Sequence, residues 1–331
     1  MKKIAIIGAG LAGLTAATIL KDQAEITIFE KSRGVSGRMA TRWAEPYFFD
    51  HGAQFFKAKT AAFKKFISSM ISEGIIDLWR GRFVEFEHHK IINRRDWDDQ
   101  QAHYVGVPGM NAIGKYLSQG LNIKLEVHIK SIIKHNHQWI LQDEHGNTLE
   151  NYDWVILAIP AEQAAELLPH SVSFYKKVSA VKMQACFSLM LGFKNPLPLE
   201  FDAALVGGED ISWISVNNSK PGRNNSFSLL IHSSNQWADQ HIDDHRDDVL
   251  KYLCDKTSHI IGHNLNHAEH KAIHGWRFAN IQKQNGDHYL LDTESQIGVC
   301  GDWLIQGRVE SAFTSGFEIA HKMIKNEYCL V

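Results

Sequence analysis

The residues best suited to chemistry stand near the two ends of the chain. Gly8-Ala9-Gly10-Leu11-Ala12-Gly13 follows the apolar run Ile4-Ala5-Ile6-Ile7, and a second apolar run, Ile26-Thr27-Ile28-Phe29, ends in Glu30, 22 residues beyond Gly8. Glycine at this spacing lets a backbone approach a pyrophosphate. Gly8 permits the sharp turn, Gly10 the close approach, and Gly13 the tight packing of helix on strand. The helix start adds free N–H groups and a partial positive charge. A carboxylate at Glu30 accepts hydrogen bonds from a ribose diol and repels a 2′-phosphate. The chemistry is the holding of a dinucleotide. A signal peptide is the competing reading, because Lys2-Lys3 precede the 17-residue uncharged stretch Ile4–Leu20. No small-x-small cleavage site ends that stretch, and the strand closing on Glu30 would have no purpose.

Two further segments favour FAD over NAD. In the loop Arg33–Arg42, Gly34 and Gly37 flank arginines, Arg38 among them, that can neutralise a buried pyrophosphate through paired hydrogen bonds. Gly301-Asp302 closes the late apolar run Gln296–Gly301, with a helix start a few residues on. Such an Asp accepts hydrogen bonds from a ribityl chain, and the helix start stabilises negative charge on a reduced flavin pyrimidine ring. The plainer alternatives are a surface ion pair for Arg38 and a loop cap for Asp302.

The elements that must position these residues are legible in outline. Trp154–Pro160 is a continuous apolar run of the kind buried on both faces of a parallel sheet. Gln296–Gly301 reads as another such strand and Val309–Lys325 as a final helix. A helix is expected over 60–80, strands over Phe83–Phe86, Lys90–Ile92, Ile123–His128, Ile129–Lys134 and Ser226–His232, and helices over Ala112–Leu117 and Asp243–Thr257. The nucleotide-binding domain therefore takes its last strand from the C-terminal region and is discontinuous. Residues 1–58, 103–165 and 276–331 are assigned to it, and 59–102 with 166–275 to an inserted substrate domain.

Composition excludes several classes. The chain has 331 residues, 44% hydrophobic and 22% charged, with a formal net charge of −2, so no global field favours nucleic acid or an anionic membrane. No later apolar stretch is long enough to span a bilayer. Cys186, Cys254, Cys300 and Cys329 contain no C-x-x-C and suit free thiols in a reducing cytoplasm. His241/His245 and His259/His263 have ligand spacing but lack the glutamate of H-E-x-x-H, so no metal site is expected.

The sequence resembles the renalase-like branch of the flavin amine oxidase superfamily, especially its bacterial members, over nearly the whole chain. The resemblance rests on Gly8–Gly13, Gly37–Arg42, Asp50–Phe56, Tyr104–Met110, Asn217–Arg223, His274–Ala279 and Gly301–Ala312. It implies an α/β protein with a p-hydroxybenzoate-hydroxylase-like, Rossmann-type FAD-binding domain, an inserted mixed-sheet α+β substrate domain, and noncovalent FAD. It further implies FAD contacts at Ala12, Glu30, Arg38 and Gln54, a backbone contact of Val127 with adenine, and ribityl and pyrimidine-ring contacts at Asp302 and Val309. Two glycine doublets common in the family are broken here, by Ser36 and by Gln306.

The implied reaction is oxidation of a dihydronicotinamide, the 2- or 6-dihydro isomer of NAD(P)H. Hydride passes to flavin N5, and oxygen reoxidises the flavin to give hydrogen peroxide. The substrate nitrogen's lone pair drives hydride departure, so stacking and orientation matter more than side-chain acid–base chemistry. Trp213, Asn217, Trp276 and Arg277 are the candidate substrate residues, with an aromatic plane for nicotinamide and Arg277 for an anionic group. Packing is the competing role for both tryptophans. A true amine oxidase, a flavin-bound sensor without turnover, and an NAD(P)H-dependent reductase or hydroxylase are the alternative functions.

Overall fold

The computed structural model describes residues 1–325. These form two compact units. The first comprises Met1–Arg38, Gly114–Met183 and the described residues from Ile281 onward, and the second Met39–Ile113 and Gln184–Asn280.

The first unit is built on a six-stranded sheet in the order Tyr289–Asp292, Ile297–Cys300, Trp154–Leu157, Lys3–Ile7, Glu25–Glu30, Asn122–Leu125. Every neighbouring pair is parallel except the edge strand Tyr289–Asp292 on Ile297–Cys300. Ile4, Ile6, Val155, Ile156, Leu157 and Val299 are fully buried, as continuous apolar runs covered on both faces require. Each such side chain contributes roughly 1.5–3 kcal/mol relative to exposure. The helices Leu11–Leu20 and Val309–Lys325 meet backbone to backbone: a Cβ on Gly316 would lie 2.2 Å from the Ala12 carbonyl oxygen. The order of strands reverses at Lys3–Ile7, and a ligand crevice is expected beyond the C-terminal end of a strand so placed.

The second unit carries a seven-stranded sheet, His270–Asn280, Gln184–Gly192, Ser228–Ser233, Ile211–Val216, Ala203–Gly207, Arg82–Glu87, Lys90–Asp96. Alternation along these strands gives two unlike faces. Phe187, Leu189, Leu191, Ile214, Leu229 and Ile231 form one core with Trp237, Val249 and Leu253 of the helices Asn235–His241 and Arg246–Ile261. On the opposite face Met190 and Leu230 pack with Tyr47 and Phe49. This packing, and a hydrogen bond from Met110 N to Asp50 at 2.9 Å, explain why 39–58 and 103–113 fold with the second unit. The sequence assigned them to the nucleotide-binding domain.

Several boundaries differ from expectation for local reasons. The helix expected over 60–80 is Ala61–Ser72; Thr60 caps it by accepting from Phe63 N, and Gly74 beyond its end has φ +72°. Ile76–Leu78 then pairs with Tyr104–Gly106 as a strand. The strand expected over Ile123–His128 stops at Leu125, because Glu126 has φ +57°. The helix expected over Asp243–Thr257 is Arg246–Ile261, ended by Gly262 at φ +70°.

The histidine pairs do not share helical faces. His241 ends one helix and His245 caps the next, while His263 lies beyond Gly262. Among the described residues no group of three or more His, Cys, Asp or Glu is placed to hold a metal ion. No helix among them is long and apolar enough to cross a membrane. Cys186, Cys254 and Cys300 are buried free thiols, and burial pushes the first and last up to about 12. Cys329 lies outside the described residues.

Candidate active site

Nine of the residues singled out for FAD lie in the first unit. Gly8 takes φ +107°, and a Cβ there would sit 2.6 Å from the Ala158 carbonyl oxygen. A Cβ on Gly13 would sit 2.1 Å from the Gly8 carbonyl oxygen, whereas one on Gly10 would meet nothing within 4 Å. Two glycines are thus demanded by packing, and the third borders open space. Gly10 precedes Leu11–Leu20, whose first turn contains Ala12, carries no acidic residue and has no side-chain cap. Its amide donors are available to an anion.

Glu30 is buried and braces the turn from the next strand. Its two carboxylate oxygens accept from Ala9 N at 2.9 Å and Ser32 N at 2.8 Å. Val127, expected on a strand, lies in the turn after Leu125, where its N–H donates to the Glu30 carbonyl at 3.0 Å. Arg38 forms a two-pronged ion pair with Asp302, at 3.0 and 2.5 Å. Its partner is therefore the other candidate, not a surface carboxylate. Val309 is the first residue of the 17-residue helix Val309–Lys325. The serine that breaks a family glycine doublet, Ser36, is buried at φ +96°, a conformation in which glycine would be unstrained. Open space at Gly10, uncapped helix amides, a guanidinium and a nearly buried carboxylate are a donor set that fits the pyrophosphate and polyol of FAD.

Gln54 belongs to the second unit. Its amide donates to the carbonyls of Asp50 and Gly52, at 2.5 and 2.9 Å, and accepts from Ser215 Oγ and Lys220 Nζ, at 2.9 and 3.1 Å. This side chain is committed to an internal network, an outcome that the FAD contact expected of it did not anticipate. Asp50 is the centre of that network. One oxygen accepts from Thr41 Oγ1 and Met110 N, and the other from Lys220 Nζ at 3.3 Å and Arg223 at 2.6 Å. The Asp50 and Lys220 side chains are fully buried and that of Arg223 nearly so. Burial alone would raise the Asp50 carboxyl, but Lys220 and Arg223 hold it at about 2. Burial lowers Lys220 to about 8, against the opposing pull of Asp50. Asn217, a candidate for substrate, is buried too; its Oδ1 accepts from Asp50 N and Lys220, and its amide donates to the Phe48 carbonyl.

The register of four neighbouring strands sets Trp213, His232, Ser188 and His274 side by side. Trp276 follows two residues after His274 on the same face. The Trp276 indole donates to the His51 carbonyl at 2.7 Å, and Ser188 Oγ donates to the same oxygen at 2.6 Å. His51 stacks on Trp276, ring centroids 5.2 Å apart, and meets His274 edge-on at 5.1 Å. Burial, with neighbouring positive charge, lowers His51 and His274 to about 4 and His232 to about 3, so all three imidazoles are neutral at pH 7. Trp213 extends the row into an aromatic cluster with Phe55, Phe83 and Trp97.

Arg277 departs from this arrangement. Adjacent strand residues face opposite ways, and Arg277 is half-exposed and paired with Asp243. The expected anion contact is replaced by a surface ion pair. His51, Lys220, Arg223 and His274 lie in segments that carry the family resemblance but were given no site role from the sequence, and Ser188 and His232 were not singled out at all. Asp50 and Arg223 stand 173 residues apart, and strand register brings His232 and His274 into one row.

Comparison with known proteins adds the family. A model of NAD(P)-binding Rossmann-like domains matches residues 6–69, and the model of the flavin containing amine oxidoreductases matches residues 60–324. The chain belongs to the flavin containing amine oxidoreductases. It is an FAD-dependent oxidoreductase. Renalase of Mus musculus is 22% identical over 312 residues, 87% of each chain. Two solved structures share the fold across 98% of this chain and 99% of their own. One is a protein from Exiguobacterium sp. 255-15 assigned as a protoporphyrinogen oxidase, at TM-score 0.78 and 12% identity. The other is a putrescine oxidase bound to putrescine, at TM-score 0.70 and 11% identity.

Proposed function

We propose that this flavoprotein oxidises a dihydronicotinamide, the 2- or 6-dihydro isomer of NAD(P)H, and delivers the electrons to oxygen as hydrogen peroxide. FAD, when bound, supplies the hydride acceptor at N5 and the route to oxygen. In the first unit the amides after Gly10 and the Arg38 guanidinium hold the pyrophosphate, and Glu30 holds the adenosine ribose. The Val127 backbone meets the adenine, Asp302 the ribityl hydroxyls, and the helix start at Val309 the pyrimidine ring. The flavin is held without a covalent bond, a reading supported by the burial of Cys186, Cys254 and Cys300 as free thiols.

The observation that carries the substrate assignment is the neutral row in the second unit. His232, His274 and His51 are kept uncharged, beside the indoles of Trp213 and Trp276. Such a surface suits a planar, uncharged dihydropyridine. The row itself contains no carboxylate to attract an alkylammonium ion. Expulsion of hydride by the ring nitrogen needs no base, so aromatic side chains have only to orient the ring and exclude water.

Oxygen uptake and peroxide formation by the purified FAD-loaded protein test this reading. Uptake with 2- or 6-dihydronicotinamide dinucleotides, and none with primary amines or ordinary NADH and NADPH, supports it. Uptake driven by amines alone replaces it with an amine oxidase.

A further inference from the structure

Lys220 is surplus to local charge balance. Arg223 alone neutralises Asp50, at 2.6 Å with both side chains buried. A second buried cation leaves the cluster with a net charge of +1, and unbalanced buried charge is costly. What Lys220 adds is geometry. Its three N–H donors reach Asp50 Oδ2 at 3.3 Å, Gln54 Oε1 at 3.1 Å and Asn217 Oδ1 at 3.0 Å. Asp50 and Gln54 are the two ends of the loop 50–54, and Asn217 starts the short helix Asn217–Ser219. Within that loop, next to Asp50, stands His51, whose carbonyl accepts from Trp276 and Ser188 and whose ring stacks on Trp276.

We propose that Lys220 is a positioning residue: its ammonium pins both ends of the loop 50–54 and so fixes the His51 carbonyl that orients the Trp276 indole. The proposal rests, for its catalytic consequence, on Trp276 facing the nicotinamide ring as put forward above. Its structural half is independent of any substrate.

The charged and titratable groups that face Lys220 are Asp50 from the loop after Tyr47–Phe49, Arg223 from the loop after Asn217–Ser219, and His232 from the strand Ser228–Ser233. Asp50 remains ionised and His232 neutral across pH 6–10. Lys220 is therefore the member of the cluster that changes charge in this range, near pH 8. Loss of its proton leaves two donors for three oxygens, and one tie must loosen.

The test uses the FAD-loaded protein labelled with 15N-tryptophan, with the Trp276 indole N–H signal assigned by its loss in Trp276→Phe. In the unsubstituted protein that signal should shift with a midpoint near pH 8. In Lys220→Arg it should hold one position from pH 6 to 10, since a guanidinium keeps its charge. An equal titration in Lys220→Arg, or none in the unsubstituted protein, overturns the proposal. With dihydronicotinamide isomers, Lys220→Met should lose about tenfold or more in kcat/KM at unchanged FAD content, and Lys220→Arg should recover part of that loss and remove the inflection near pH 8. An NMR result as expected with no activity on those isomers contradicts the substrate assignment alone. If Lys220→Met fails to fold, the comparison with Lys220→Arg still decides.

Discussion

Arg38 and Asp302, 264 residues apart in the chain, face each other through two parallel N–H···O bonds. Asp302 is 5% exposed. Removing its partner leaves a desolvated carboxylate, so the pair acts as one element of the cofactor site rather than two. Arg38→Met and Asp302→Asn should each weaken FAD binding by about tenfold to a hundredfold, or about 1.4–2.8 kcal/mol. The double variant should be little worse than the weaker single one. Titration of apoprotein with FAD, followed by flavin fluorescence, checks this. Additive losses would mean that the two residues serve FAD separately.

Gly10 and Gly13 should fail in different ways. Gly13→Ala places a methyl 2.1 Å from a backbone oxygen, so the turn must move and the Tm must fall. Gly10→Ala meets open space within the protein. That variant should keep its Tm and lose retained flavin, because its methyl occupies the room left for the pyrophosphate. Thermal melts beside the ratio of visible to protein absorbance separate the two effects. Full flavin content in Gly10→Ala would remove the pyrophosphate from this turn.

Asp50 should be far less tolerant than Lys220. Asp50→Asn leaves Lys220 and Arg223 buried together without a counter-charge, a change expected to cost about 3–5 kcal/mol. Lys220→Met leaves the neutral Asp50–Arg223 pair and should cost clearly less. Denaturant unfolding measures both, and the reverse order would contradict the charge bookkeeping.

The same cluster sets two pH windows. Asp50 titrates at about 2 in the fold, below its ordinary value of 3.8. Its contribution is complete above pH 4 and is lost as pH falls through 2, because the unfolded chain takes up the proton first. Lys220 titrates at about 8 against an ordinary 10.5. Between those values the unfolded chain binds more protons, so this residue makes stability rise from pH 8 to 10.5. Comparison of the unsubstituted protein with Lys220→Met across that range isolates the slope. A difference independent of pH would place the proton elsewhere.

The legible parts of the sequence were those governed by local rules. Gly8–Gly13 and Glu30 announced the nucleotide-binding turn because close backbone approach needs glycine at fixed spacing. The parallel strands Lys3–Ile7 and Trp154–Leu157 announced themselves as unbroken apolar runs. The helix starting at Val309 was legible from the apolar stripe of Phe313, Ile319, Ala320 and Met323. Glu126 and Ser36 were illegible, since neither residue type signals a positive φ. Lys220 was illegible for another reason: its surroundings come from residues 50, 54, 217 and 223, and no spacing rule links a lysine to a carboxylate 170 residues away. Arg277 misled because its neighbour Trp276 faces the aromatic row while it faces Asp243. That difference is set by strand alternation once the register is known.

Arg277→Ala and Trp276→Ala should therefore separate sharply. The Arg277–Asp243 pair lies exposed at the surface, where salt and water screen it, and its removal should leave kcat/KM within about twofold. Trp276→Ala removes the plane and the donor to His51 together, and should lower kcat/KM by about a hundredfold, or 2.7 kcal/mol. Steady-state kinetics on one dihydronicotinamide isomer decides between them, and equal losses would return Arg277 to the substrate site.

The most direct test of the central claim is an anaerobic single turnover followed in the visible flavin band. On mixing with one equivalent of a 2- or 6-dihydronicotinamide dinucleotide, the band should bleach with appearance of the oxidised nicotinamide dinucleotide, and admission of oxygen should restore it with one equivalent of peroxide. A band that persists with both isomers and bleaches with a primary amine would contradict the account.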